Sequence, residues 1–332
     1  MFSKKISAII TFFVLFCAVL FVFNLFMGFA DISFSDFFSS ADETKELIIN
    51  YRINKTLSII LAGITLPVSG FLLQELFKNP LADASILGVS SASALAVALI
   101  IFLGIPQFFI NNEWLSGWTL VMGSLVGSFL VSLLLLLITN LIKDVATFII
   151  IGFLISSLCG SLVGALQFYS QSEELKQYVI WSFGSLSGLS NVQIMFFFIC
   201  TVIGLFFAGL SVRMLTGFLL GEEYSKTLGI NIKRMKIFII LAICFLVGSA
   251  TAMLGPIMFI GIIIPHFCRQ IWNPASLWIQ LILNILFGIG FMLLLGIIME
   301  WTQLPVNILS SVIGVPTILF MIFNSKFKHS NY

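Results

Sequence analysis

The sequence predicts an all-α polytopic membrane protein with about ten transmembrane helices. Three observations predict it. Of 332 residues, 60% are hydrophobic and only 9% charged, against roughly 25% charged in a soluble domain. Mean hydropathy is +1.15. Apolar runs long enough to cross about 30 Å of hydrocarbon recur along the whole chain. The alternation and turn spacing of a membrane β-barrel are absent. Residues 1–332 therefore read as a single transmembrane domain, and a net charge of +2 does not point to nucleic acid.

The first run follows Lys4 and Lys5 and extends from Ile6 to about Met27. It is longer than the apolar core of a secretory leader, about 7–15 residues, so it is expected to be a span rather than a cleaved leader. Spans are expected near 6–28, 56–77, 85–104, 115–140, 146–168, 190–211, 236–254, 257–272, 278–299 and 306–324. With the N-terminus in the cytoplasm, twelve Lys and Arg fall inside and four outside: Lys45, Arg52, Lys55 and Lys176. The positive-inside rule expects that split, and it puts both termini in the cytoplasm.

The connections carry most of the polar residues. Segment 29–55 is expected outside and holds Asp31, Asp36, Asp42, Glu43 and Glu46, with Ser33 and Ser35–Asp36 suggesting the cap of a short surface helix. Segment 169–189 is expected outside as well. Asn79 to Ser91 is a polar break between two apolar runs, punctuated by Pro80 and Gly88. Such a break is tolerated at membrane depth only where protein covers it or water reaches it. It reads either as an ordinary loop or as a gate. Segment 212–235 is amphipathic, with Leu220, Tyr224, Thr227 and Leu228 at helical spacing. It reads as a surface helix or as a docking helix for a cytoplasmic partner.

The span near 257–272 is interrupted. It carries Gly255, Pro256, Gly261, Pro265, His266 and Arg269. Pro265 removes an amide donor. His266 is expected to be a hydrogen-bonded structural residue, and Arg269 to snorkel to the cytoplasmic face. Gly314-Val315-Pro316 marks another kink. Small residues on span two (Ala62, Gly63, Ser69, Gly70) and span five (Gly160, Ser161, Gly164) permit close helix packing. The five cysteines are scattered, without a CxxC pair, and read as small apolar side chains.

The sequence has no GxxxxGK[ST] loop, HExxH pair or GxSxG elbow. Glu75 is the clear intramembrane acid. A carrier driven by an ion gradient keeps ionisable groups along its path. Their scarcity points to energy supplied by another subunit, not to an enzyme.

Four motifs then resemble the FecCD-type permease subunits of ABC importers for iron–siderophore complexes, haem and cobalamin. The first runs from Arg52-Ile53-Asn54-Lys55 through Gly63, Gly70 and Gln74 to Asn79-Pro80-Leu81-Ala82-Asp83 and Ile86 to Ser91. The second is Trp181 to Leu186. The third is Leu220-Gly221-Glu222-Glu223 with Leu228-Gly229-Ile230. The fourth is Gly255-Pro256-Ile257, Phe259 to Gly261, Pro265-His266 and Arg269, followed by Leu304-Pro305 and Gly314-Val315-Pro316.

The resemblance implies type II ABC importer permease architecture and a role in importing ferric siderophore, or haem or cobalamin, across the bacterial cytoplasmic membrane. It implies a second permease, two ATPase subunits that hydrolyse the ATP, and an external substrate-binding protein. No cofactor is expected on this chain. Arg52 and Lys55 would dock the binding protein and Asn79, Pro80 and Leu81 would form the cytoplasmic gate. Leu220, Gly221, Glu222, Glu223, Leu228 and Gly229 would couple to the ATPase. The sequence departs from the family pattern at Lys55 (usually Arg), Asn54 and Ala84 (usually Pro), and Ala92 and Asn307 (usually Gly). Glu300 stands in the outer region where many members carry a third docking base. These departures imply a heterodimer with a related permease.

Overall fold

The computed structural model describes residues 4–28, 30, 32–33, 36, 43–104, 113–138, 145–271 and 276–329. Among the described residues the regular structure is entirely helical. The helices α1 (Lys4–Phe26), α2 (Glu43–Phe77), α3 (Val89–Phe102), α4 (Glu113–Ile138) and α5 (Val145–Tyr169) come first, with a 3-10 turn (Ala84–Leu87) before α3. Then follow α6 (Ser172–Ser182), α7 (Asn191–Phe218), α8 (Glu222–Thr227) and α9 (Ile232–Leu254). The chain closes with α10 (Ile260–Ile271), α11 (Leu277–Thr302) and α12 (Val306–His329). Seven of these (α1, α2, α4, α5, α7, α9 and α11) are long and apolar enough to cross a membrane. The three other expected spans are shorter: α3 with 14 residues, α10 with 12, and the apolar part of α12, Val306–Phe320.

Three connections differ from expectation. First, α2 starts at Glu43 rather than near residue 56 and runs 35 residues. At about 1.5 Å per residue it is roughly 52 Å long, so its first turns extend beyond the hydrocarbon. Glu43 and Glu46 sit in its first turn, where carboxylates complement the helix dipole. Second, segment 169–189 contains α6, opened by a capping box between Gln171 and Glu174. Third, α7 continues to Phe218 and α9 begins at Ile232. The expected amphipathic segment therefore shrinks to the linker 219–231 around α8. Of the expected cap, Ser35 lies outside the described residues, while Ser33 N donates to Asp36 Oδ2 (2.9 Å).

The bundle is built around α2, which packs against α1, α7, α10 and α11. Of its apolar stretch, 83% is buried, against 17% for α5. Two glycine crossings make this contact close. A Cβ on Gly63 would lie 2.7 Å from the Gly288 carbonyl oxygen on α11. A Cβ on Gly70 would collide with the backbone of Gly261 on α10. Lost side-chain volume lets the helix backbones approach to van der Waals contact. Below the crossings, Phe71, Leu72 and Leu73 pack with Met235, Ile239 and Ile240 of α9. Above them, Ile59, Ala62 and Leu66 pack with Met292, Leu293 and Val306. On α1, Phe13 stacks on Phe287 at 3.9 Å between ring centroids. Its outer face exposes Phe12, Leu15, Val19 and Phe23.

Candidate functional site

The first end of the bundle gathers the ends of α1, α6 and α11 around the upper part of α2. Arg52 and Lys55 lie one turn apart on α2 and so share a face. Sequence places both at an exposed outer surface; the structure buries them, at 4% and 8% exposure. The cause is local. The last carbonyls of a helix have no intrahelical donors. Arg52 supplies them to α1, donating to Leu25 (3.2 Å), Phe26 (3.0 Å) and the following Ala30. Lys55 makes an ion pair with Glu300 at the end of α11. A cavity of about 650 Å³ opens over both, walled in part by Tyr51, Ser185, Glu300 and Gln303.

Two departures from the family pattern make bonds here. Asn54 donates to the Leu189 carbonyl (3.1 Å) and to Asn191 Oδ1 (2.7 Å), fixing the start of α7. Asn307 donates through its backbone amide to Phe183 O (3.2 Å) and through Nδ2 to Ser182 O (3.3 Å). The loop after α6 is thereby held against α12. Ser185 N donates to Leu254 O (2.8 Å), which ties the same loop to the end of α9. Gly255, at φ 79°, lies so close that a Cβ would come within 2.7 Å of the Trp181 carbonyl. The second and fourth sequence motifs thus meet in space.

The second end carries the Asn79 turn and the α7–α8 linker. Asn79, Pro80 and Leu81 are exposed. Asn79 Oδ1 accepts from Leu81 N (3.0 Å), and Asn79 O accepts from Ala82 N (3.1 Å). This is an Asx-type turn. The adjacent Lys78 lies 5.3 Å from the Phe218 ring centroid at the end of α7. Beyond Phe218, Ser225 is buried and its Oγ donates to Gly217 O (2.9 Å). That bond pins α8 to α7 and turns Leu220, Tyr224 and Leu228 outward, at 66%, 55% and 54% exposure. Gly221 and Gly229 bracket α8, and Glu223 pairs with Lys226 at 2.9 Å. Lys226 holds the Glu223 carboxyl below its ordinary range, chiefly by that hydrogen bond.

Between the two ends, the break in α10 is repaired from α2. Pro265 has no N–H, so the Gly261 carbonyl four residues earlier loses its helical donor. Gln74 Nε2 donates to that carbonyl at 3.1 Å. Gln74 Oε1 in turn accepts from Arg269, whose other nitrogen bonds Glu75 at 3.2 Å. Arg269 therefore turns inward instead of snorkelling, because a carboxylate and an amide oxygen await it there. His266 is structural, with its Nε2 2.8 Å from Gln270 Nε2. Asp83 sits over Gly261 and bonds Ser85 (3.1 Å). It lines a second cavity of about 300 Å³ with Ser69, Ser90, Tyr178, Pro256 and Asn307. Among the described residues no His, Cys, Asp and Glu side chains form a cluster able to hold a metal ion.

The FecCD transport family matches the chain over residues 15–324. The chain belongs to the FecCD family. The hemin transport system permease protein of Yersinia pestis is 29% identical over 318 residues, 92% of each chain. The vitamin B12 import system permease protein of Yersinia pseudotuberculosis is 27% identical over 293 residues, 86% of this chain and 84% of its own. Among solved structures, a metal-chelate-type ABC transporter in an inward-facing conformation matches with TM-score 0.82 at 28% identity. The match covers 96% of this chain and 99% of that one. The FecCD chain is accordingly a multi-pass permease subunit of an ABC importer in the cytoplasmic membrane. It works with ATPase and permease partners and is not itself the ATPase.

Proposed function

We propose that this FecCD permease carries a ferric-siderophore complex inward, driven by two ATPase subunits that hydrolyse the ATP. The observation that carries this reading is the shared chemistry in the names of its relatives: hemin, vitamin B12 and a metal chelate. Each is a metal wrapped in a large organic ligand. The hemin relative makes haem the second reading, with cobalamin after it. A deletion strain grown on ferric siderophore or haem as sole iron source, or on cobalamin in a cobalamin-requiring background, separates the three. Loss of growth on ferric siderophore alone is expected; loss on haem alone overturns the siderophore reading. Uptake that persists without any ATPase overturns the importer mechanism in favour of a gradient-driven carrier.

In this reading both termini lie in the cytoplasm and the Asn79 turn faces it. Asn79, Pro80 and Leu81 gate the path. The outward apolar face formed by Tyr224 of α8 and the flanking Leu220 and Leu228 docks into the ATPase, with Gly221, Glu222, Glu223 and Gly229 part of the same segment. The Lys78–Phe218 contact supports a link between the two. A second permease, related but distinct, packs on the exposed small-residue face of α5. Lys55 receives an acidic residue of an external substrate-binding protein, while Arg52 holds the docking surface together through α1. No cofactor is assigned to the chain itself.

A further inference from the structure

The cavity at the first end has an unusual floor. It holds two cations and one carboxylate. Arg52 is tied to the carbonyls at the end of α1. Lys55 is built differently. Its ammonium has three donors on a flexible four-carbon stem. Among the described residues its one hydrogen-bond partner is Glu300, 245 residues away in sequence. Both side chains keep some exposure, 10% for Lys55 and 20% for Glu300. Arg52 stands near enough to repel Lys55, so the floor attracts a further negative charge even with Glu300 in place.

We infer that Glu300 is an internal competitor for the docking cation: an acidic side chain of the external binding protein enters the cavity and displaces Glu300 from Lys55. The inference rests on the docking reading above and adds its regulation. Before docking, Glu300 gives Lys55 a counter-charge, which offsets part of the cost of burying that cation. Docking then becomes an exchange of one carboxylate for another. Exchange also frees the end of α11, which turns at Gln303 (φ 55°) into Pro305 and α12. A docking event is thereby felt at the corner between these two helices.

The test uses the whole transporter in lipid nanodiscs and the substrate-binding protein encoded with it, with affinity read by surface binding. Removing the competitor (E300Q) is expected to tighten binding about tenfold, and removing the cation (K55M) to weaken it about tenfold, the scale of close charge pairs at protein interfaces. The double variant K55M/E300Q should match K55M, because the gain needs Lys55. Should E300Q fail to accumulate, E300D shortens the competitor by one methylene and should tighten binding by a smaller factor. If K55M weakens binding while E300Q or E300D leaves it unchanged, the exchange is wrong and docking at Lys55 stands. If neither substitution moves the affinity, the docking role of Lys55 falls with it.

Discussion

On α2, Gly63 and Gly70 are pressed against the backbones of α11 and α10. On α5, Gly160 and Gly164 have nothing within 4 Å, and the neighbouring Ser157 and Ser161 are exposed. Both helices show small residues at helical spacing, and the sequence treats them alike. The difference teaches what such a pattern encodes. It records that a backbone must come close, without recording whose. The α2 face finds its neighbours within the chain. Among the described residues nothing packs on Gly160 and Gly164, and beside them α5 exposes Phe153, Leu154, Leu158 and Leu162, as α1 exposes Phe12, Leu15, Val19 and Phe23. What covers the small-residue stretch of α5, another protein chain or lipid tails, is what substitution there tests.

Substitutions at the two faces should separate cleanly. Gly70→Leu is expected to abolish folded accumulation, since its Cβ enters the Gly261 backbone and overpacking of this severity costs about 3 kcal/mol or more. Membrane levels and thermal melting of the purified chain read this out. Gly160→Leu is expected to leave the single subunit within about 0.5 kcal/mol of the parent yet lower substrate uptake and recovery of the assembled complex. Normal uptake and assembly would mean that lipid, not a partner, covers α5.

A smaller effect sharpens the α2 side. Gln74→Leu leaves the Gly261 carbonyl without its donor, a loss of about 1–3 kcal/mol. Pro265→Ala restores an N–H to that carbonyl, so the penalty of Gln74→Leu should shrink by about 1 kcal/mol in that background. Equal penalties in both backgrounds would break the assignment of Gln74 as the substitute donor.

The smallest effect concerns pH. Lys45 bonds Asp36 at 2.9 Å and holds its carboxyl below the ordinary aspartate range, with Ser33 N as the second donor. A depressed carboxyl contributes stability above the ordinary range and loses it as pH falls through the lowered value. Asp36 lies far along the chain from both glycine pairs, and the Gly70 crossing is backbone against backbone. Acidification through that window should therefore change the environment of Asp36 in NMR titration without altering the melting difference between Gly70→Leu and the parent.

The apolar segments were legible because hydropathy is a property of each segment alone. The first turns of α2 and all of α6 were not, since a helix in water carries no hydropathy signal. The Gln171–Glu174 capping box was the cue available for α6. The outward face of α8 could be read from spacing, although its length could not. The burial of Arg52 and Lys55 was hidden because a charge near a membrane boundary looks the same whether it meets water or the carbonyl end of another helix. Nothing local announces that Glu300 will arrive beside Lys55. The inward turn of Arg269 was missed for a related reason: snorkelling is the default only when no buried acceptor lies nearer than water.

The bond from Gln74 to the Gly261 carbonyl has a consequence for descent. A lineage that replaces Gln74 while keeping Pro265 passes through a protein with an orphaned carbonyl in its core. One that replaces Pro265 first leaves Gln74 with a redundant donor, so later substitution of Gln74 forfeits only its bond from Arg269. The order of change is therefore asymmetric: among relatives that lost this pair, the proline should have been replaced first.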